Sequence, residues 1–298
     1  MKKNIYPILF FISLIFYGCS LENDDNNQDR VEEKLVLDQN EKMEAVYYSI
    51  PSPMETTIIL KRNYPKFSAN LLFPDINIHE IHDNQIRALI LGIISTDLNY
   101  AMLSERKLET NRLINKVIEI AQILHLDGVV NSSIKDRIEK NLNNKDSMQI
   151  IIGNTFWEIE NKLKEDHKEE LSALIVAGGW IEGLYLATNM AKMDSSNKPL
   201  QNIIADQKIV HENLIELISD FTFEDLIQEN LIAELINMKT IFQKISIVEI
   251  EKNAPIKTEK NDEMVIGNYF NLKFEKEDLK EIHNLISHLR QTILNHLL

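Results

Sequence analysis

Apolar positions recur three and four residues apart over most of this chain, and few prolines or glycines interrupt them. That period belongs to helices packed through one face. Ser52-Pro53-Met54-Glu55 opens the first. Serine at the N-cap, proline at the first helical position and glutamate at the third together satisfy orphan backbone N–H groups, which predicts a helix from Pro53 to Arg62. Pro65 and Pro74 then bracket a short second helix. From Asp83 to Glu105 the stripe Ile86, Leu89, Ile90, Ile93, Ile94, Leu98 and Met102 is broad enough to need burial on more than one side, as in a central helix. A helix over 110–125 sets Leu113, Val117, Ile120, Ala121 and Leu124 on one face and stops near Gly128. Ser133 caps a helix to Asn143, and Asp146 or Ser147 caps one to Lys164. Further helices are predicted over 167–193, 199–219, 223–246 and 276–297. Short connections make neighbours antiparallel.

Two stretches depart from the pattern. Ser246-Ile247-Val248-Glu249-Ile250, and either Met264-Val265-Ile266 or 269–274, are strand-like and flank a polar segment with Pro255, which predicts a small β-hairpin or an extended excursion. Within 173–188, Gly178, Gly179 and Gly183 each cost about 1 kcal/mol of helix propensity against alanine. Gly179, Gly183 and Ala187 are spaced by four and share a face, so a neighbouring helix can approach closely there and recover the loss in dispersion contacts. The alternative makes Gly178-Gly179 a ligand-facing gap walled by Trp180 and Tyr185, but the segment lacks the lysine of a phosphate loop.

Near the start, Lys2 and Lys3 precede an apolar run, Ile5 to Tyr17, and the small Gly18. This is the layout of a secretion signal. The run's 13 residues cover about 20 Å as a helix, against about 30 Å of hydrocarbon, too little for a retained span. Ile15-Phe16-Tyr17-Gly18-Cys19 resembles a bacterial lipobox, which implies cleavage before Cys19, the chain's single cysteine, and attachment of acyl chains such as palmitate to it. Two or more chains on one residue hold a protein stably at a bilayer. The alternative is a secreted protein with a free thiol. Ser20 and the acidic, apolar-poor run to Asp29 read as a flexible tether and resemble the export signal of Bacteroidetes-type surface lipoproteins. This places the chain on the outer membrane, lipid-anchored at the cell surface, with the periplasmic face as the alternative. Loss of residues 1–18 removes Lys2 and Lys3 and no acid, so the formal charge moves from −14 to −16. With no basic stripe in the sequence, nucleic-acid binding is excluded as an expectation.

The segments 48–55, 144–147 and 178–185 (YSIPSPME, NKDS and GGWIEGLY) look like those of a group of Bacteroidetes-type all-helical lipoproteins. The resemblance implies an all-α body on a lipid anchor and transfers no catalytic residue. Asp97 and Glu182 lie among apolar neighbours, so each needs a partner if buried. Together they would serve as a general acid and base, hold a cation, or fix packing through hydrogen bonds. Trp180 and Tyr185 complete this candidate buried polar site. His79 and His82, three apart, suit a helix that presents both to a metal, but they lack a third ligand at a recognisable distance, and no metal or other cofactor is expected. The remaining histidines, at 125, 167, 211, 283, 288 and 296, read as solvated. No hydrolase elbow, dinucleotide fingerprint or phosphate loop occurs.

The sequence thus predicts a signal peptide over 1–18, a lipidated Cys19 with its tether over 19–40, and an all-α, multi-helix antiparallel bundle over 41–298. Its expected role is an anchored binding or scaffolding module with a protein or small-molecule partner. The alternatives are a metal-independent hydrolase or lyase using Asp97 and Glu182, and a structural subunit of an outer-membrane complex.

Overall fold

The capping box closes on itself: Ser52 Oγ accepts from the Glu55 N–H at 3.3 Å and Glu55 Oε2 from the Ser52 N–H at 2.8 Å, which starts helix α1 (Pro53–Asn63). In this computed structural model residues 45–47, 49–141, 144–224, 227–249, 270–273 and 275–295 are described, all within one unit, Met43–Leu298. The leader expected over 1–18 and the lipidated Cys19 and tether expected over 19–40 lie outside the described residues. After α1 come α2 (Asn84–Leu103), α3 (Lys107–Ile123), α4 (Ser132–Asn141), α5 (Lys145–Glu165), α6 (Glu169–Met193), α7 (Lys198–Ser219), α8 (Ala233–Phe242) and α9 (Lys276–Asn295). The described part is mostly helical. Side-chain caps set several starts: Asp83 accepts from the Gln85 N–H at 2.7 Å, Asn144 from Ser147 at 3.0 Å, and Asn197 from Leu200 at 3.0 Å.

Several boundaries differ from those the sequence predicts. Between Pro65 and Pro74 there is only a 3-10 turn, Ala69–Leu71, and the backbone on either side of it bonds to α2 side chains. The Ser68 N–H donates to Tyr100 Oη at 3.0 Å and the Phe73 N–H to Asp97 Oδ2 at 2.5 Å. Helix α3 starts three residues earlier than expected and ends at Ile123, two before the expected His125, which itself takes the left-handed conformation (φ 62°) while the Leu126 N–H reaches back to Ala121 O at 2.7 Å. Glu105 and His167 close α2 and α5 in the same way. The helix expected over 223–246 is broken. Phe223 is buried and the Glu224 N–H donates to Gln85 Oε1 at 2.9 Å, which holds 222–224 out of helix; a π turn, Ile227–Ile232, leads into α8. Strand β1 (Ser246–Glu249) then pairs antiparallel with β2 (Phe270–Lys273), Ser246 opposite Lys273 and Glu249 opposite Phe270. What joins the strands, Met264 to Ile266 included, lies outside the described residues.

The core is organised around α2 and α6. Gly92 and Gly178 let these helices meet backbone to backbone: a Cβ on Gly92 would sit 1.9 Å from Ile175 O, and one on Gly178 2.0 Å from Leu89 O. Thr96 Oγ1 donates across the seam to Gly179 O at 3.3 Å, besides bonding to Gly92 O of its own turn at 3.1 Å. Contacts advance together along both helices, so the two run in the same direction. Helix α1 lies along the adjacent face of α6, also in the same direction, with Pro53 beside Gly179 and Thr56 beside Gly183. The antiparallel packing expected of chain neighbours holds for α6 with α7 and α7 with α8, through Trp180–Gln207 and His211–Leu235. The central pair differs because the whole α3–α5 excursion separates it in sequence. By length and composition α2 and α6 would cross a membrane, yet 94% and 89% of their apolar windows are buried inside this fold. Their apolarity is that of a double-sided core.

A methyl group added at Gly178 has nowhere to go. Gly178→Ala is expected to lower unfolding free energy by at least about 3 kcal/mol, since the α2–α6 backbones must part. Gly153→Ala, in α5 with nothing near its Cβ position, should stabilise by about 1 kcal/mol, and denaturant titration of the two variants checks the contrast.

Candidate functional site

The parallel crossing brings Asp97 of α2 and Glu182 of α6 together, both fully buried, and α9 supplies Arg290 to meet them. Arg290 Nε donates to Glu182 Oε2 at 2.6 Å and Nη2 to Glu182 Oε1 at 3.0 Å, a two-point pairing that fixes the guanidinium plane. Nη2 also donates to Leu71 O at 3.1 Å. The guanidinium lies 4.1 Å from the Tyr185 ring centroid and 5.0 Å from that of Phe73, so aromatic faces cover it where carboxylates do not. Three helices and the irregular link between α1 and α2 are thereby tied to one polar cluster.

Protonation follows from burial. Desolvation, and next the charge of Glu182, push the Asp97 carboxyl well above the usual aspartate range. Glu182 is also raised by burial, but the Arg290 charge and its hydrogen bonds oppose the shift. Asp97 is therefore the member that holds a proton, and Glu182 carries the charge that faces Arg290. With that proton, Asp97 Oδ1, which otherwise lacks a partner among the described residues, becomes a donor toward Glu182. The arrangement is neutral overall and sealed from solvent. As a general acid and base pair it has no route to a substrate in this conformation.

The other sequence candidates separate. Tyr185 belongs to the cluster through Arg290, whereas Trp180 points to another face of α6: its Nε1 donates to Gln207 Oε1 at 3.0 Å and its ring packs against His211 and Phe242. Gly179 and Gly183 carry the α1 seam and Ala187 is buried. His79 sits in a 3-10 turn (Ile78–Glu80) and pairs with Glu119 at 3.1 Å, so no helix presents it together with His82. Among the described residues no group of three or more His, Cys, Asp and Glu side chains could hold a metal. His211, which reads as solvated in the sequence, is fully buried with Nε2 bonded to Leu235 O at 2.7 Å, and burial pushes its pKa down.

Sequence reasoning missed Arg290. It lies more than a hundred residues from Glu182 on an amphipathic helix, and its place on the buried stripe with Ile282, Ile286, Leu289 and Ile293 is the signal that could have found it. It also missed an open groove of about 630 Å³ at the far end of α6, between that helix, the start of α7 and the first turns of α9. Thr188, Lys192, Lys198, Lys276, Lys280 and His283 line it.

Arg290→Met is expected to cost about 3–5 kcal/mol at neutral pH by leaving Glu182 charged and unpaired, and part of that loss should return on acidification as Glu182 takes up a proton. Asp97 binds its proton more tightly folded than unfolded, so its contribution to stability is complete below about pH 4 and declines as pH rises toward its elevated folded value. Asp97→Asn keeps a donor toward Glu182 and an acceptor for Phe73, and should flatten that decline in denaturation curves measured across pH.

No protein-family model, curated protein or solved structure matches this chain.

Proposed function

We propose that this chain is a lipid-anchored envelope protein whose helical domain acts as a binding module, held by acyl chains on Cys19 at the outer membrane, facing the cell surface. The observation that carries the binding reading is the contrast between two polar constellations. Asp97, Glu182 and Arg290 are closed off and neutralise one another, which suits a structural clamp and not a catalyst. The groove of Thr188, Lys192 and His283 is open and lined by donors, which suits a ligand. Its volume falls within the range of about 300–1,000 Å³ usual for small-molecule sites. The anchor rests on the lipobox-like run ending at Cys19 and the acidic tether after it. Two segments that resemble helical lipoproteins meet in space, Pro53 against Gly179, with Thr56 just beyond the first lying against Gly183, so they read as one packing unit.

Labelled palmitate should enter the wild-type protein and stay out of a Cys19→Ser variant, and the variant should leave the membrane fraction. Label in the variant, or an unlabelled wild type, would sink the anchoring part of this reading.

A further inference from the structure

We propose that the groove between α6, α7 and α9 binds a compact phosphate-bearing anion; this rests on the binding-module reading above and specifies its ligand class. The chain carries a formal charge of −14, so an anion is repelled over most of its surface unless cations are concentrated locally. They are concentrated here: Lys192 from the end of α6, Lys198 from the first position of α7, and Lys276 and Lys280 from the first two turns of α9, against the two carboxylates Glu275 and Glu277 on the same lining.

The lysines are not neutralised by partners. Lys198 Nζ donates to the uncharged Gln201 Oε1 at 3.0 Å, and Lys276 and Lys280 have no hydrogen-bond or ion-pair partner among the described residues. Lys192 Nζ lies 3.5 Å from His283 Nε2, two groups of basic character in contact with no carboxylate between them. His283 Nδ1 lies 3.4 Å from Thr188 Oγ1, so with its proton on Nδ1 the ring donates to Thr188 and accepts from Lys192. An anion seated beside Lys192 would supply the missing negative charge and allow His283 to take a second proton.

The residue types select the ligand. All four full cations are lysines, point charges with rotatable donors, and no arginine fork lines the groove, so recognition is by compact charge and not by planar two-point pairing. Phosphate fits this better than a lone carboxylate, which carries half its charge or less. Thr188, Ser195, Gln201 and Asn284 add neutral donors for the rest of the molecule.

Pyrophosphate serves as the probe for calorimetric titration of the folded chain, with citrate and an uncharged disaccharide in parallel. Saturable pyrophosphate binding with Kd at or below about 1 mM is expected. Lys192→Gln combined with Lys280→Gln should weaken it by about tenfold or more without changing thermal unfolding, because both side chains are exposed. The His283 ring resonances should titrate at higher pH in the presence of pyrophosphate. Absence of saturable binding, or binding that the double variant leaves intact, overturns the proposal. Tighter binding of citrate than of pyrophosphate overturns the phosphate assignment. Saturation by the disaccharide alone, with His283 resonances shifted, overturns charge selection while leaving the groove as a binding site; silence from all three probes removes both.

Discussion

Backbone touches backbone where α2 crosses α6, and the rest of the domain is arranged around that contact. Because Gly92 and Gly178 have no Cβ, the two helices come within ordinary contact of each other's carbonyl oxygens, and a methyl at either position would sit about 2 Å from one. Such an approach leaves no room between the helices for side chains, so those must project to the flanks. On one flank α1 lays Pro53 and Thr56 against Gly179 and Gly183. One turn beyond the crossing, Asp97 and Glu182 find themselves opposed, and the close spacing that stabilises the apolar seam also forces two carboxyls into one site.

Arg290 resolves that conflict together with a retained proton. A buried ion pair of this kind contributes little net stability over a well-packed apolar replacement, but removal of one partner leaves an uncompensated charge. Its value here is positional: Leu71 and Phe73, on either side of Leu72, are held by Arg290 and Asp97, which pins a link that has almost no helix of its own. Buried Asp97 and buried His211 pull stability in opposite directions with pH. Asp97 favours its protonated form and loses its contribution as pH rises; His211 favours its neutral form and loses its contribution as pH falls below the ordinary histidine range.

Helix content was legible because it is written locally, in periodicity and in caps such as Ser52-Pro53-Met54-Glu55. The broad stripe from Ile86 to Met102 already indicated a helix buried on several sides, and 173–188 already indicated small residues on a face. What could not be read locally was which partner each face meets. Gly178 reads as one more costly glycine until Leu89 O is seen against it. The ends of α2, α3 and α5 fall within two residues of those expected, although Glu105, His125 and His167 hold left-handed positions where glycine is the usual signal; the break at 222–224, which rests on the distant Gln85, had no local mark. The candidate site was half visible, as two carboxylates in apolar helices, while the arginine that completes it and the lysines of the groove come from separate helices and form no stripe in sequence.

The same-direction pairing of α2 and α6 has a consequence for how the nascent chain reaches its fold. Helices α1 and α3 can pack on α2 as soon as they emerge, but α6, its most extensive partner, is synthesised only after α3, α4 and α5. Until then the face of α2 that meets Ile175, Gly178 and Gly179 stays uncovered, on a segment apolar enough by length and composition to cross a bilayer. High contact order at the centre of an otherwise local topology slows the final step and lengthens this window. The central seam of the domain therefore cannot close until residue 193 has been made.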